Sequence, residues 1–150
     1  MNLQRLTQKS AEAVRGAQSL ALEYGNQQIE QEHMLLALLL QENGLIGELV
    51  RKLGSSPQVM AEEVRRAVGG FPKVGGSGAD NMYISSAAEA ALNEAEKQAD
   101  KMKDDYVSVE HLMLGLIIRA TKSVKEMLDR YNITADNFLV ALKSVRGNRQ

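Results

Sequence analysis

The chain contains its own copy, and few features constrain a fold more. Displaced by 78 residues, so that Thr7 falls on Ser85, the segment Thr7 to Ala67 aligns without a gap with Ser85 to Val145. Ala13, Ala17 and Ala21 fall on Ala91, Ala95 and Ala99; Glu32 and His33 fall on Glu110 and His111; Leu36, Leu38 and Glu48 fall on Leu114, Leu116 and Glu126. Apolar character is kept more widely, as at Leu6 and Ile84, Val14 and Leu92, Ile29 and Val107, Met60 and Phe138, and Val64 and Leu142. A repeat of this length marks a duplicated supersecondary unit, and a shared apolar pattern predicts a shared core.

Each copy reads as four helices. Thr7 caps a first helix whose alanines recur every four residues, a stripe small enough for another backbone to come close, and Gly25 ends it. In the second copy, Ser86 with Glu89 three residues on reads as the capping box of the equivalent helix. The second helix runs through Met34 to Leu40, matched by Leu112 to Ile118, and its apolar residues on nearly every side predict a buried central helix. Ser108 is its candidate cap in copy two, where copy one has the poorer capper Glu30; Glu32 and Glu110 sit in the first turn, where negative charge suits the helix dipole.

A short third helix covers about Leu45 to Leu53 and stops at Gly54; its counterpart covers about Ser123 to Tyr131 and ends near Asn132. The fourth opens at Ser56 with Pro57 in the first turn, and at Thr134 with Ala135. Val59, Met60, Val64 and Val68 form its apolar face, as do Phe138, Leu139, Leu142 and Val145. The reading is therefore one all-α domain over 1–150: repeat one at about 6–68, a Gly/Pro-containing linker at 69–83, and repeat two at about 84–146. The copies are expected to pack through equivalent faces about a pseudo-twofold axis.

Composition narrows the function. With 150 residues the chain can bury roughly 70% of its unfolded surface in one core. It has no cysteine, so disulfides, thiolate metal sites and thiol nucleophiles are all excluded. A net charge of -1 gives no field favouring nucleic acid, and only the tail, with Arg146 and Arg149, is locally basic. The longest apolar run, Met34 to Leu40, is too short for a membrane span, and Met1 to Leu20 has no segment like a signal peptide. A cytoplasmic protein is expected.

Known chemistries find little to use. Gly75, Gly76 and Gly78 lead into Ala79 and Asp80, not the Gly-Lys-Ser/Thr of a phosphate loop. Each histidine is alone in its copy, outside the His-Glu-x-x-His spacing that sets two imidazoles on one helical face, so a shared structural role at the start of the central helix is expected. Asp104, Asp105 and Glu110 accompany no nucleophile, and a solvated turn before a helix explains them equally well. Lys97, Lys101 and Lys103, interleaved with Glu94, Glu96 and Asp100, read as an exposed helix face. Met34, Met113 and Met127 read as core, whereas Met82, Tyr83 and Met102 are candidates for an exposed apolar surface.

Twice over, an Ala stripe leads to Ile/Val-x-x-Glu-His and a Leu/Met-rich helix, at Ile29 to Leu36 and Val107 to Leu114, and this pattern resembles the double Clp N-terminal repeat. The connector Phe71-Pro72-Lys73-Val74-Gly75-Gly76, followed by Met82-Tyr83-Ile84-Ser85, looks like the branch of AAA+ disaggregases of the ClpB type. The resemblance implies a non-catalytic, monomeric domain without a cofactor of its own. It would bind exposed apolar segments of unfolded or aggregated proteins for a homohexameric parent that uses ATP in two further modules and works with the DnaK chaperone system. Neither nucleic acid nor membrane is an implied partner. It also implies a binding surface, with matches here at Thr7, Asp104 and Glu110, and with Leu92 as the groove residue. The alternative is adaptor docking, as in the protease-linked ClpA and ClpC types.

Overall fold

The computed structural model describes residues 1–74 and 82–148, so the connector residues Gly75, Gly76, Gly78, Ala79 and Asp80, and Arg149 of the tail, lie outside the described residues. A 3-10 turn at Leu3–Arg5 leads into α1 (Gln8–Glu23), β1 (Gln28–Ile29), α2 (Gln31–Leu40), α3 (Leu45–Lys52) and α4 (Pro57–Gly69). Copy two follows with β2 (Tyr83–Ile84), α5 (Ser86–Lys101), α6 (Val109–Ile118), α7 (Lys122–Arg130) and α8 (Ala135–Asn148). The eight helices of the sequence reading are present, and at the expected caps the Thr7 and Ser56 hydroxyl oxygens accept the N–H groups of Ser10 and Val59. Copy two differs by one residue: Ser85, not Ser86, caps α5, its hydroxyl accepting the Ala88 N–H.

The first helix of each copy ends in the same device. Gly25 and Lys103 both adopt left-handed backbone, at φ 71° and 60°. The following amides, of Asn26 and Asp104, reach back to the carbonyls of Ala21 and Ala99 at 2.8 and 2.9 Å, closing a Schellman motif. Glycine adopts this conformation freely; lysine does so at a cost in strain.

α2 and α6 are the buried centres, with His33, Leu35, Leu36, His111, Met113 and Leu114 wholly inaccessible. They pack on each other, and each also meets the first helix of the other copy, α1 against α6 and α2 against α5. Met34, Met113 and Met127 are core as expected. Three expectations need correction. Val59 on α4 is 58% exposed and belongs to the outer face; Leu139 on α8 is 37% exposed. Glu94 is buried, not part of a solvated face: Gln98 Nε2 and Arg119 Nε each donate to its carboxylate at 2.9 Å.

Two short parallel pairings, absent from the sequence reading, exchange backbone between the copies. Leu6 pairs with Val107, and β2 pairs with β1 so that Ile84 lies opposite Ile29. These are the same contact made in both directions, since Leu6 aligns with Ile84 and Val107 with Ile29. Thr7 N–H donates to the Val107 carbonyl at 3.3 Å and Ser85 N–H to that of Ile29 at 3.0 Å. The pseudo-twofold relation is therefore written into hydrogen bonds.

The copies diverge where they touch. Gln31, fully buried on α2, donates through Nε2 to the carbonyls of Ala87 and Arg119 at 2.9 and 2.8 Å and accepts the Thr121 N–H at 3.0 Å, so copy one closes the end of α6. Its counterpart, Val109, can do none of this. Gly115 on α6 lies against α5: a Cβ there would overlap the Ala91 carbonyl oxygen and stand 3.0 Å from the Ala95 nitrogen. In copy one the glycine is on the other partner, Gly16 of α1, where a Cβ would meet Ala37 Cβ at 3.4 Å.

Gly115→Ala is expected to cost about 3 kcal/mol, because backbone must move, while Gly16→Ala changes stability by less than about 1 kcal/mol, tight contact offsetting helix propensity. Gln31→Leu, which orphans buried backbone groups of copy two, is expected to cost about 3 kcal/mol. Urea denaturation of the three variants separates these outcomes.

Candidate functional site

The site grows out of the helix ends. Because each Schellman motif fixes the residue after the left-handed position, Asn26 and Asp104 are held facing the histidine seven residues later. His33 Nδ1 accepts the Glu30 N–H at 2.8 Å and its Nε2 donates to Asn26 Oδ1 at 2.9 Å. His111 Nδ1 accepts the Ser108 N–H at 2.9 Å and its Nε2 donates to Asp104 Oδ2 at 2.8 Å. A backbone N–H can only donate, so it fixes the tautomer of each ring. The structural role expected for the Glu-His pairs is thus a helix cap, with histidine taking the place that glutamate holds in a capping box. Both nitrogens of each ring are engaged, and among the described residues no three of His, Cys, Asp and Glu converge as a cation site.

The networks differ in charge. In copy two, Arg146 on α8 donates to Asp104 Oδ2 at 3.0 Å and to Glu110 Oε2 at 2.9 Å. Partial burial opposes ionisation of Asp104, yet the hydrogen bonds from Arg146 and His111 outweigh it and hold its carboxyl below the ordinary range. In copy one the aligned residues are Asn26, Glu32 and Val68. Carboxylate and guanidinium are lost together, and Val68 is fully buried. Burial pushes the Glu32 carboxyl up, its side-chain partner being Ser123, and burial pushes His33 down to about 4.

Of the residues proposed from sequence, three gather on one loop. Asp104 begins it and Glu110 follows it on α6. Thr7 reaches it through its N–H to Val107, and Arg5 donates to the carbonyls of Asp104 and Asp105 at 3.2 and 3.1 Å. Tyr106 at the loop's crest is 59% exposed. Leu92 lies apart from these as a core residue of α5, 7% exposed. Thr7 Oγ1 accepts the Ser10 N–H, so its hydroxyl serves the helix end.

Beside the Arg146 cluster is a recess of about 370 Å³ lined by Met102, Leu139, Leu142, Lys143, Arg146 and Gly147. The sequence marks Met102 as a candidate surface residue and Arg146 only as part of a basic tail. The readable signal was the pair of aligned positions 26/104 and 68/146, which acquire opposite charges together in copy two. In copy one the chain itself covers the corresponding network. The Phe71 ring packs edge-on to His33 with centroids 5.7 Å apart, the Pro72 carbonyl accepts from Asn26 Nδ2 at 3.1 Å, and Val74 N–H donates to Gly25 at 2.7 Å.

The fold and site define a pseudo-twofold pair of four-helix repeats, each with a buried Glu-His pair opening its central helix. The chain belongs to the Clp repeat N-terminal domain family, whose sequence model matches residues 5–131. It is 38% identical to the chaperone protein ClpB of Clostridium tetani over all of this chain and 18% of that protein, so it spans under a fifth of the length of such relatives. Its fold is that of the Hsp104 N-terminal domain from Candida albicans, with a TM-score of 0.81 at 22% identity, covering 95% of this chain and 91% of that one. A complex of a ClpV N-domain with a VipB peptide shares the fold at TM-score 0.71 and 16% identity, over 89% and 82% of the two chains.

The His33 depression sets a pH window. An unfolded histidine takes up its proton near 6.5 and the buried one only near 4, so stability is whole above that range and falls as pH drops through it, by about 2 kcal/mol at pH 5. Asp104, depressed instead, contributes a further loss only below its ordinary 3.8. Urea denaturation at pH 7 and pH 5 should show the first loss, and His33→Gln should flatten it relative to the parent.

Proposed function

We propose that this chain is a non-catalytic binding domain that engages exposed apolar segments of unfolded or aggregated proteins, on behalf of a ClpB-type disaggregase. The observation that carries the reading is the apolar recess of Met102, Leu139 and Leu142 bordered by the fixed charges of Arg146, Asp104 and Glu110. Apolar lining gives affinity with little sequence preference, and the charged border orients a backbone. Copy one supplies the precedent within the molecule: an aromatic ring and a proline in extended chain lie on the equivalent network. In this reading Thr7, Asp104 and Glu110 shape the border, while Leu92 packs in the core of α5 and does not line the recess.

The area at stake is small. Burial of about 300 Å² at roughly 25 cal/mol/Å² is under ten kcal/mol before ordering costs, so micromolar or weaker affinity is expected. Such contact suits a domain that hands clients on. Under the same proposal the parent is a cytoplasmic homohexamer, ATP is bound and hydrolysed in its other modules, and the DnaK system is its partner. Among the described residues no helix is long and apolar enough to cross a membrane.

A second reading, docking of a defined adaptor or folded partner, is favoured by the shared fold with a ClpV N-domain that is complexed with a VipB peptide. The two part in one experiment. In an NMR titration of the labelled chain with an unfolded, soluble client, the first reading expects shifts at Met102, Asp104, Tyr106, Leu139 and Arg146. It also expects about tenfold weaker binding in Leu139→Ser, whose side chain lies at the recess surface. No shifts at millimolar client would remove client capture and put adaptor docking first.

A further inference from the structure

The end of each central helix carries a cavity, and the two cavities are pseudo-twofold equivalents that have parted in character. In copy two it is about 170 Å³, lined in part by Ile117, Ile118, Lys125, Asp129 and Ala135. In copy one it is about 380 Å³, and its lining includes the aligned Leu39, Leu40, Gly47, Arg51 and Pro57. One turn of the third helix decides the difference. Lys125 and Asp129 form an i,i+4 ion pair at 2.9 Å, so copy two carries its own cation and its own carboxylate there. Copy one has Gly47 where the lysine stands and Arg51 where the aspartate stands.

Arg51 turns back over the gap. A Cβ built on Gly47 would lie 3.6 Å and 3.8 Å from the two terminal guanidinium nitrogens and 3.7 Å from Pro57 Cγ. The guanidinium of Arg51, an exposed residue, therefore lines the larger cavity together with the apolar side chains of Leu40 and Pro57. It has no ion pair among the described residues, and Glu42, which also lines the cavity, does not reach it. The space that a side chain fills in copy two is left free, next to a cation that makes no ion pair among the described residues.

We infer that this copy-one cavity binds an acidic peptide segment, with a Glu or Asp carboxylate on Arg51 above Gly47 and a neighbouring apolar side chain against Leu40 and Pro57. Charge complementarity selects this occupant: a planar guanidinium takes a carboxylate through paired hydrogen bonds, and the apolar wall beside it gives an aliphatic side chain a place that a free inorganic anion cannot use. The internal pair of copy two is the intramolecular version of the same contact. The site is built from α2, α3 and α4 of copy one and shares no residue with the Arg146 recess, so it stands or falls apart from the client-binding reading.

The test is an NMR titration of the labelled chain with acetyl-Leu-Glu-Leu-Glu-amide, with acetyl-Leu-Gln-Leu-Gln-amide, and with inorganic phosphate. The expected result is saturable shifts of Gly47, Arg51 and Gln58 with the acidic peptide, at least about tenfold weaker with the neutral one and with phosphate. Arg51→Gln should abolish them. Gly47→Glu should do the same by placing an internal carboxylate on Arg51, and its Cβ contacts are ordinary, so it should fold, as circular dichroism would record. Equal binding of the two peptides, equal shifts with phosphate, no shifts at millimolar acidic peptide, or undiminished binding to a folded Gly47→Glu variant would each overturn the inference.

Discussion

The two backbone exchanges between copies hold the architecture in register. A helix bundle joined only by side chains could slide by a turn; here Val107 N–H donates to Arg5 at 2.8 Å and Ser85 N–H to Ile29 at 3.0 Å, and the positions of both first helices follow. The same crossings set the loops that precede the central helices. The Asp104 to Glu110 loop is placed where Arg5 and Arg146 can bind it from different copies and different ends of the chain. Its charge pattern is thus a product of the duplication, since neither copy contains all the groups that organise it.

Duplication followed by unequal change explains most of what distinguishes the two faces. The glycine that lets the paired helices approach has moved from α1 in copy one to α6 in copy two, because close approach needs one missing Cβ and either partner can supply it. Asn26 and Asp104 keep the same geometry toward histidine, yet only the carboxylate calls for a cation, and Arg146 stands where Val68 stands. Gln31 replaces an apolar residue where a buried helix end would otherwise leave carbonyls without donors. Each change is local, and each comes with its compensation.

Much of the fold was legible because helical periodicity and small-residue stripes survive in sequence, and because two copies of one pattern reinforce each other. Thr7, Ser56, Gly25 and Pro57 announced their helix ends through local chemistry that needs no distant partner. The two-residue pairings were invisible: Leu6, Ile29, Ile84 and Val107 carry no alternation long enough to read as strand. Val59 and Glu94 misled for a related reason, since both lie near the edge of a helical stripe, where a rotation of one position exchanges inside and outside. At the candidate site, the gathering of Thr7, Asp104 and Glu110 came from family resemblance, while the part of Arg146 depended on α8 ending beside a loop more than thirty residues earlier.

The reciprocal crossing also bears on the order in which the chain can be completed. Synthesis delivers copy one first, but the Arg5 carbonyl and the Thr7 N–H at its N-terminal edge meet their backbone partner only once Val107 has been made. The loop of about 100 residues so closed costs only slightly more entropy than a shorter one, because that cost grows with the logarithm of length. What is delayed is time, not stability. Copy one therefore leaves the ribosome as an unfinished half whose last contacts are supplied by its own duplicate, and the two copies mature as a single unit.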